Sequence, residues 1–190
     1  MTAIDPELLT FEYRLRYRGA PGPEHDPADL PMRWEITISG GHNEDDVQVG
    51  SAAVYLVPKA GMLNLAVAAD GADREMELVA EMLTSDRPDL VAEYLQYGGD
   101  MMVVSSLEIL PEYRGDRIGY AALHAIIETI GRSADLVVLH AAPATSGAFP
   151  DEKSPEYEAA TTALKAYWLD FGFEEAAGDY LAIVKQKILE

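Results

Sequence analysis

The stretch "PEYRGDRIG", Pro111 to Gly119, packs two arginines, two glycines and a proline between two different apolar rhythms. Before it, "MMVVSSLEIL" suits a pleated sheet; after it, "YAALHAIIETIG" repeats its apolar positions every three or four residues, as a helix does. Pro111 ends the strand because it has no N–H for a ladder. Arg114 and Gly115 then enter a turn that leads into a helix N-terminus. There, unpaired backbone N–H groups and the positive end of the helix dipole make a site for an anion. Glycine lets that anion come close to the backbone. The chemistry expected of Arg114, Gly115, Asp116, Arg117, Ile118, Gly119 and Tyr120 is therefore phosphate or pyrophosphate binding. The same residues also suit a plain tight turn with solvated arginines.

Other reactive groupings are few. His124 and Glu128 stand four apart on the following helix, but with no third ligand in the pattern they read as a surface pair. The absence of cysteine removes disulfides, thiolate catalysis and Cys-based zinc sites. No GxSxG elbow, P-loop or HExxH occurs.

The elements that position the turn follow from periodicity. "FEYRLRYR" (Phe11 to Arg18) alternates as a half-buried strand, and "GAPGPEHDPADLP", with four prolines in thirteen residues, is a loop. Met32 to Val57 reads as an antiparallel hairpin whose acidic tip, Glu44 to Asp46, is solvated. Met62 to Ala68 is either a strand or a buried connector. Asp73 caps a helix with a Met76, Val79, Ala80 and Leu83 stripe; "TSDRP" interrupts it, and Pro88 opens a second helix that ends near Tyr97, before Gly98 and Gly99. "DMMVVSSLEIL" is a strand, the Gly119 region opens a helix to Ile130, and "DLVVLHAAP" is a strand buried on both faces. "ATSGAFPDEKSP" is a loop, "EYEAATTALKAYWLDFG" a helix, and "FEEAAGDYLAIVKQ" a hairpin turning at Gly178 and Asp179. The fold class expected is α/β (α+β): a mixed sheet with helices on both faces.

With 190 residues, of which 48% are hydrophobic and 25% charged, a single domain over 1–190 is expected, opening with a strand and proline-rich loop over 1–31. Acidic residues number 33 against 14 basic, a formal net charge of −19. That field disfavours nucleic acid and anionic membranes as partners, although a local basic, amide-rich pocket still suits a small anion. It also suits a cationic substrate such as an amine, and solubility alone accounts for it equally well. No apolar run approaches the roughly 18 to 20 residues of a membrane span, and no signal-peptide pattern opens the chain, so the cytoplasm is expected.

In this order, the elements resemble the GCN5-related N-acetyltransferase family. In that family a central strand ends in an apolar-x-Pro step and runs into a Gln/Arg-x-x-Gly-x-Gly/Ala loop at a helix start. Here that is "ILPEYRGDRIG", from Ile109 to Gly119. The family's next strand, splayed from the first, corresponds to "LVVLHAAP"; its late helix with a Gly-Phe end corresponds to "ALKAYWLDFGF", and its closing strand to "YLAIVKQ". The resemblance covers about 101–186, which would be the coenzyme-binding and catalytic core of an acyl-CoA N-acyltransferase fold with mostly antiparallel strands. It implies acetyl-CoA as co-substrate without a metal, an amine of a small molecule or peptide as acceptor, and direct acyl transfer between them. Leu107, Ile109 and Leu110 would pair with the pantetheine arm, and Arg114 to Tyr120 would hold the pyrophosphate. Glu108 and His140 would lie near the thioester as candidate bases. A homodimer is left open. The alternative is a non-catalytic acyl-CoA-binding or interaction module on the same fold.

Two positions depart from the family pattern. Arg117 replaces its first loop glycine; a helix start with right-handed φ accepts arginine, so its cation is expected to reach a phosphate. Trp168 occupies the position of the tyrosine that often protonates the coenzyme thiolate, and indole is no acid. Tyr167 is the candidate acid instead, although one residue along a helix is a rotation of about 100°.

Overall fold

A computed structural model of the protein describes residues 4–16, 22, 30–41, 46–70, 72–143 and 154–184. The strands are β1 (Leu9–Arg16), β2 (Met32–Gly40), β3 (Val47–Val57), β4 (Asp100–Ile109), β5 (Ala134–His140), β6 (Glu174–Ala177) and β7 (Tyr180–Val184). They form one sheet in the order β1-β2-β3-β4-β5-β7-β6, in which only the β4–β5 pair is parallel. The parallel pair is joined by α4 (Ile118–Thr129), as a crossover between parallel strands requires. The mixed, mostly antiparallel sheet is the expected one.

Helices cover both faces. One face carries α4 and α5 (Pro155–Phe171), packed through Leu123, Ile126, Ile127 and Trp168 onto Met102, Val104, Val137 and Leu139. The other carries α1 (Leu65–Ala68), α2 (Arg74–Glu81) and α3 (Pro88–Leu90), with Met76, Val79 and Leu83 over Met101, Val103, Leu136 and Val138. β5 contributes alternate residues to both cores, which is why its stretch Leu136 to Leu139 is apolar without a break.

Local chemistry fixes the element ends. Asp73 accepts from Met76 N at 3.1 Å and so caps α2. Ser154 does the same for α5 through Tyr157 N at 3.1 Å, with Pro155 in the first turn. Gly172, at φ 121°, stops α5 where a side chain would be strained.

Three expectations change. The first strand begins at Leu9, earlier than Phe11, because Asp5 caps a 3-10 turn (Pro6–Leu8) that feeds straight into it. Met62 to Ala68 is no strand: Asn64 accepts from Val67 N at 3.4 Å and nucleates α1, which buries only Leu65. The "TSDRP" break is narrower than its sequence suggests. Helix α2 runs on through a π turn to Asp86, and only Arg87 leaves helical geometry before Pro88; a second π turn ends at Leu95, short of Tyr97. Parts of the Pro-rich loop, of the acidic hairpin tip and of the "ATSGAFPDEKSP" loop, together with Tyr17, Arg18, Lys185 and Gln186, lie outside the described residues.

The feature that shapes the site is where β4 and β5 part. They pair from Asp100↔Ala134 to Val104↔Leu139 and no further. β5 continues against β7, with His140 opposite Tyr180, while β4 continues against β3, with Ile109 opposite Gly50. A bulge at Ser105, where Ala53 pairs with Ser106 but Val54 with Val104, marks the point of divergence. The extra residue also shifts the alternation, so Met102 and Val104 before it, and Leu107 and Ile109 after it, all pack towards α4 and α5.

Leu123 is fully buried between α4 and the sheet beneath this divergence. Leu123→Ala should cost about 2–5 kcal/mol of unfolding free energy, read as a lower urea midpoint at unchanged m-value.

Candidate active site

Beyond Val104 the facing edges of β4 and β5 no longer bond each other, so a backbone edge opens inside the sheet. Such an edge suits an extended chain with amides of its own, which can add like a strand. Leu107 and Ile109 lie on this stretch of β4 and Leu110 follows it; Leu110 N is tied to Val49 O at 2.9 Å on the far side. Arg114 is not turned outward as a free cation. Its Nε donates to Ile109 O at 2.8 Å and closes the strand end from outside.

The turn into α4 differs from the expected geometry. Gly115 has φ 122°, Asp116 φ 44° and Arg117 φ 56°. Arg117 is therefore left-handed rather than right-handed, and for an L-residue that costs about 1–2 kcal/mol. A left-handed residue followed by a right-handed one turns successive N–H groups to one side, which makes an anion-binding concavity. Ile118 N closes the turn on Gly115 O at 3.0 Å. The conformation is thus the one an anion site uses, reached through strain that helix-start geometry would not have required. The Arg117 side chain is also committed elsewhere. It pairs with Asp170 of α5 at 3.3 Å and lies over the Tyr120 ring, 5.1 Å from its centroid.

Tyr167 and Trp168 exchange the roles their positions suggest. Trp168 is 8% exposed and belongs to the core, edge-on to Phe171 and Phe173. Tyr167 reaches the start of α4: a Cβ on Gly119 would lie 2.7 Å from its hydroxyl, so Gly119 is the residue that admits it. Burial raises the Tyr167 pKa, with the Tyr120 amide and the Arg117 charge pulling it back. Tyr120 directs its hydroxyl at Tyr167 O (2.6 Å) and Asp170 Oδ2 (2.9 Å), and burial with Asp170 beside it pushes its pKa up to about 12. Tyr120 is thereby a strut between α4 and α5.

The α2 side of the gap holds a second group of polar residues. Alternation along β5 puts His140 on that face, and its Nδ1 lies 3.5 Å from Glu75 Oε2. His140 stacks on Tyr180 with centroids 4.7 Å apart, and burial, followed by the Glu75 charge, raises the Tyr180 pKa. Beside them Arg33 pairs with Asp73 and donates to Tyr55 Oη at 3.2 Å; Ser105 Oγ, on the bulge, faces Asp73 Oδ2 at 3.5 Å. Glu108 shares this face but is exposed on the β4 lip.

The three candidate catalytic residues are thus divided: Glu108 and His140 lie on the α2 face of the sheet, and Tyr167 lies on the other face against the start of α4. Glu75, Tyr180, Tyr55, Arg33 and Ser105 carried no signal in the sequence. Glu75 reads there as an ordinary acidic residue in a helix's first turn, and only its apposition to β5 gives it a role. Among the described residues, no group of three His, Asp or Glu is placed to hold a metal, and no helix is long and apolar enough to cross a membrane.

No family model matches the chain, and no curated protein matches its sequence. Several solved structures are similar at low level, among them the following two. A crystal structure of a mutant of KacT is 11% identical, with a TM-score of 0.40, over 83% of this chain and 74% of that one. An apo mutant of agmatine N-acetyltransferase is 10% identical, with a TM-score of 0.39, over 79% and 75%. Likeness at this level assigns neither an activity nor a site.

Gly115→Ala should destabilise the fold by about 1–3 kcal/mol, because φ 122° is strained for any L side chain. Denaturant titration checks it, with Gly22→Ala, whose Cβ meets nothing within 4 Å, as the control.

Proposed function

We propose that the protein is an acetyl-CoA-dependent N-acyltransferase. The observation that carries this is the internal edge opened by the parting of β4 and β5, bordered by the left-handed turn at the start of α4. An extended pantetheine arm would lie along Leu107 to Leu110, displacing Arg114 from the Ile109 carbonyl. The pyrophosphate would take the amides of residues 115–120, where the helix dipole favours negative charge. For that, Arg117 would exchange Asp170 for phosphate. The two are comparable partners, since an exposed ion pair is worth little.

The thioester would then sit in the gap with different groups on its two sides. From the α2 side, the amine attacks the carbonyl carbon, the N–C bond forms and the C–S bond breaks. His140 takes a proton from the nitrogen as general base, and Glu108 is the alternative base. From the α4 side, Tyr167 is the donor for the departing thiolate, because its raised pKa keeps the phenol protonated. Backbone N–H groups at the divergence would polarise the carbonyl. The burial of Trp168 in the core favours one second reading, a module that binds acyl-CoA without turnover.

Acetyl-CoA at about 100 times its dissociation constant should add about 2.7 kcal/mol of stability, seen as a raised melting temperature. Incubation with primary amines should release free thiol, and Tyr167→Phe should lower kcat at least tenfold with coenzyme affinity unchanged. Binding without thiol release would establish the module; an unchanged melting temperature at millimolar coenzyme would sink both readings.

A further inference from the structure

We infer that Glu75 receives the ammonium group of the acceptor and makes this side of the gap selective for amines with no carboxylate on the amine-bearing carbon. The inference rests on the proposed N-acyltransfer, but its own test does not. Glu75 lies in the first turn of α2, with its side chain 20% exposed, and its carboxylate meets both the His140 ring and the Tyr180 hydroxyl. Oε2 faces His140 Nδ1 at 3.5 Å, whereas Oε1 is buried with no hydrogen-bond partner. A buried carboxylate oxygen without a donor is costly, so an orphan of this kind marks a place where a donor belongs.

The surroundings select the donor. The neighbouring carboxylate, Asp73, is already neutralised by Arg33 and held by Ser105 and the Met76 amide. The charges acting on Tyr180 alongside Glu75 are Arg74, which opposes it, and Asp179, which reinforces it. Glu108 adds a further carboxylate on the β4 lip. A compact cation with N–H donors fits that field, whereas a carboxylate beside the amine would meet Glu75 and Glu108 at like charge.

The placement also serves the reaction. An ammonium on Glu75 sits beside His140, which can take the first proton to expose the nitrogen lone pair. After attack on the thioester carbonyl the nitrogen loses a second proton. One of the two ends on the coenzyme sulfur as the C–S bond breaks, the other leaves through His140 to solvent. Glu75 is thus an acceptor-binding residue that also orients the imidazole.

Butylamine and norvaline, which is butylamine bearing a carboxylate on its amine carbon, separate the possibilities. Each is titrated into the full-length protein while the His140 ring resonances are followed by NMR. Butylamine should shift them, and norvaline should bind at least tenfold more weakly. Glu75→Gln should weaken butylamine at least tenfold, Glu75→Asp should restore part of the loss, and Glu77→Gln, at an exposed position of the same helix, should change nothing. Equal binding of the two ligands, or butylamine binding unaffected by Glu75→Gln in a variant whose amide spectrum stays dispersed, overturns the inference. Because this readout needs no coenzyme, a protein that binds butylamine through Glu75 but releases no thiol would refute the proposed transfer and leave the inference standing.

Discussion

The structure depends on the extra residue at Ser105. Without a bulge there, β4 would keep its register with β3 and could follow β5 to its end, leaving the sheet closed. With it, β4 turns away after Val104 and two strand edges face each other unpaired. Edges are normally found at the rim of a sheet, where water satisfies them. Here one lies in the middle, flanked by two cores, and that position suits an extended ligand better than an eighth strand. The same shift in alternation turns Leu107 and Ile109 towards α4 and leaves Ser105 and Glu108 to the α2 side. One inserted residue therefore opens the gap and sorts its lining into an apolar side and a polar side.

The turn into α4 shows a second constraint. Three successive residues at positive φ is an expensive way to start a helix when only the first is glycine. Asp116 tolerates it better than most side chains, but Arg117 has no such excuse, and its ion pair with Asp170 is too exposed to compensate for much. The surroundings that hold the conformation are Ile118, fully packed beneath the turn, and Gly119, which lets Tyr167 approach. Strain fixed by packing on both sides is preorganisation: the amides are aimed before any ligand arrives.

Much of this was legible in the sequence, for physical reasons that differ by element. The hairpin from Met32, the strand of "LVVLHAAP" and the Gly178 turn were readable because their signals are local: alternation, continuous burial and a positive-φ glycine. The turn into α4 was readable as a composition of proline, arginines and glycines, but its left-handed geometry was not, since Arg117 looks like any helix-start residue. Met62 to Ala68 was ambiguous because a short segment with six apolar residues in seven satisfies either period. The polar group on the α2 side was invisible: Arg33, Tyr55, Glu75, Ser105 and Tyr180 come from five elements, and only the sheet order brings them to one face. Tyr167 and Trp168 were distinguishable in principle by helical phase, but deciding which one faces α4 required the packing of Phe171 and Phe173.

The sheet also separates charge, which the proposed acyl transfer to an amine would require. A coenzyme carrying phosphates and an acceptor carrying an ammonium attract opposite fields, yet their reacting atoms must meet within bonding distance. In a chain of net charge −19, the side proposed for the acceptor would need no special provision, because carboxylates are plentiful and Glu75 Oε1 has no hydrogen-bond partner. The side proposed for the coenzyme would need one. A long-range negative field decays within about 8 Å at physiological salt, so the turn's aligned amides and two arginines can prevail only at short range, on ligand already docked against β4. On that proposal the strained turn is the part of the fold that offsets the acidic composition, and Arg117, the residue that departs from the glycine pattern, would add its positive charge there on leaving Asp170.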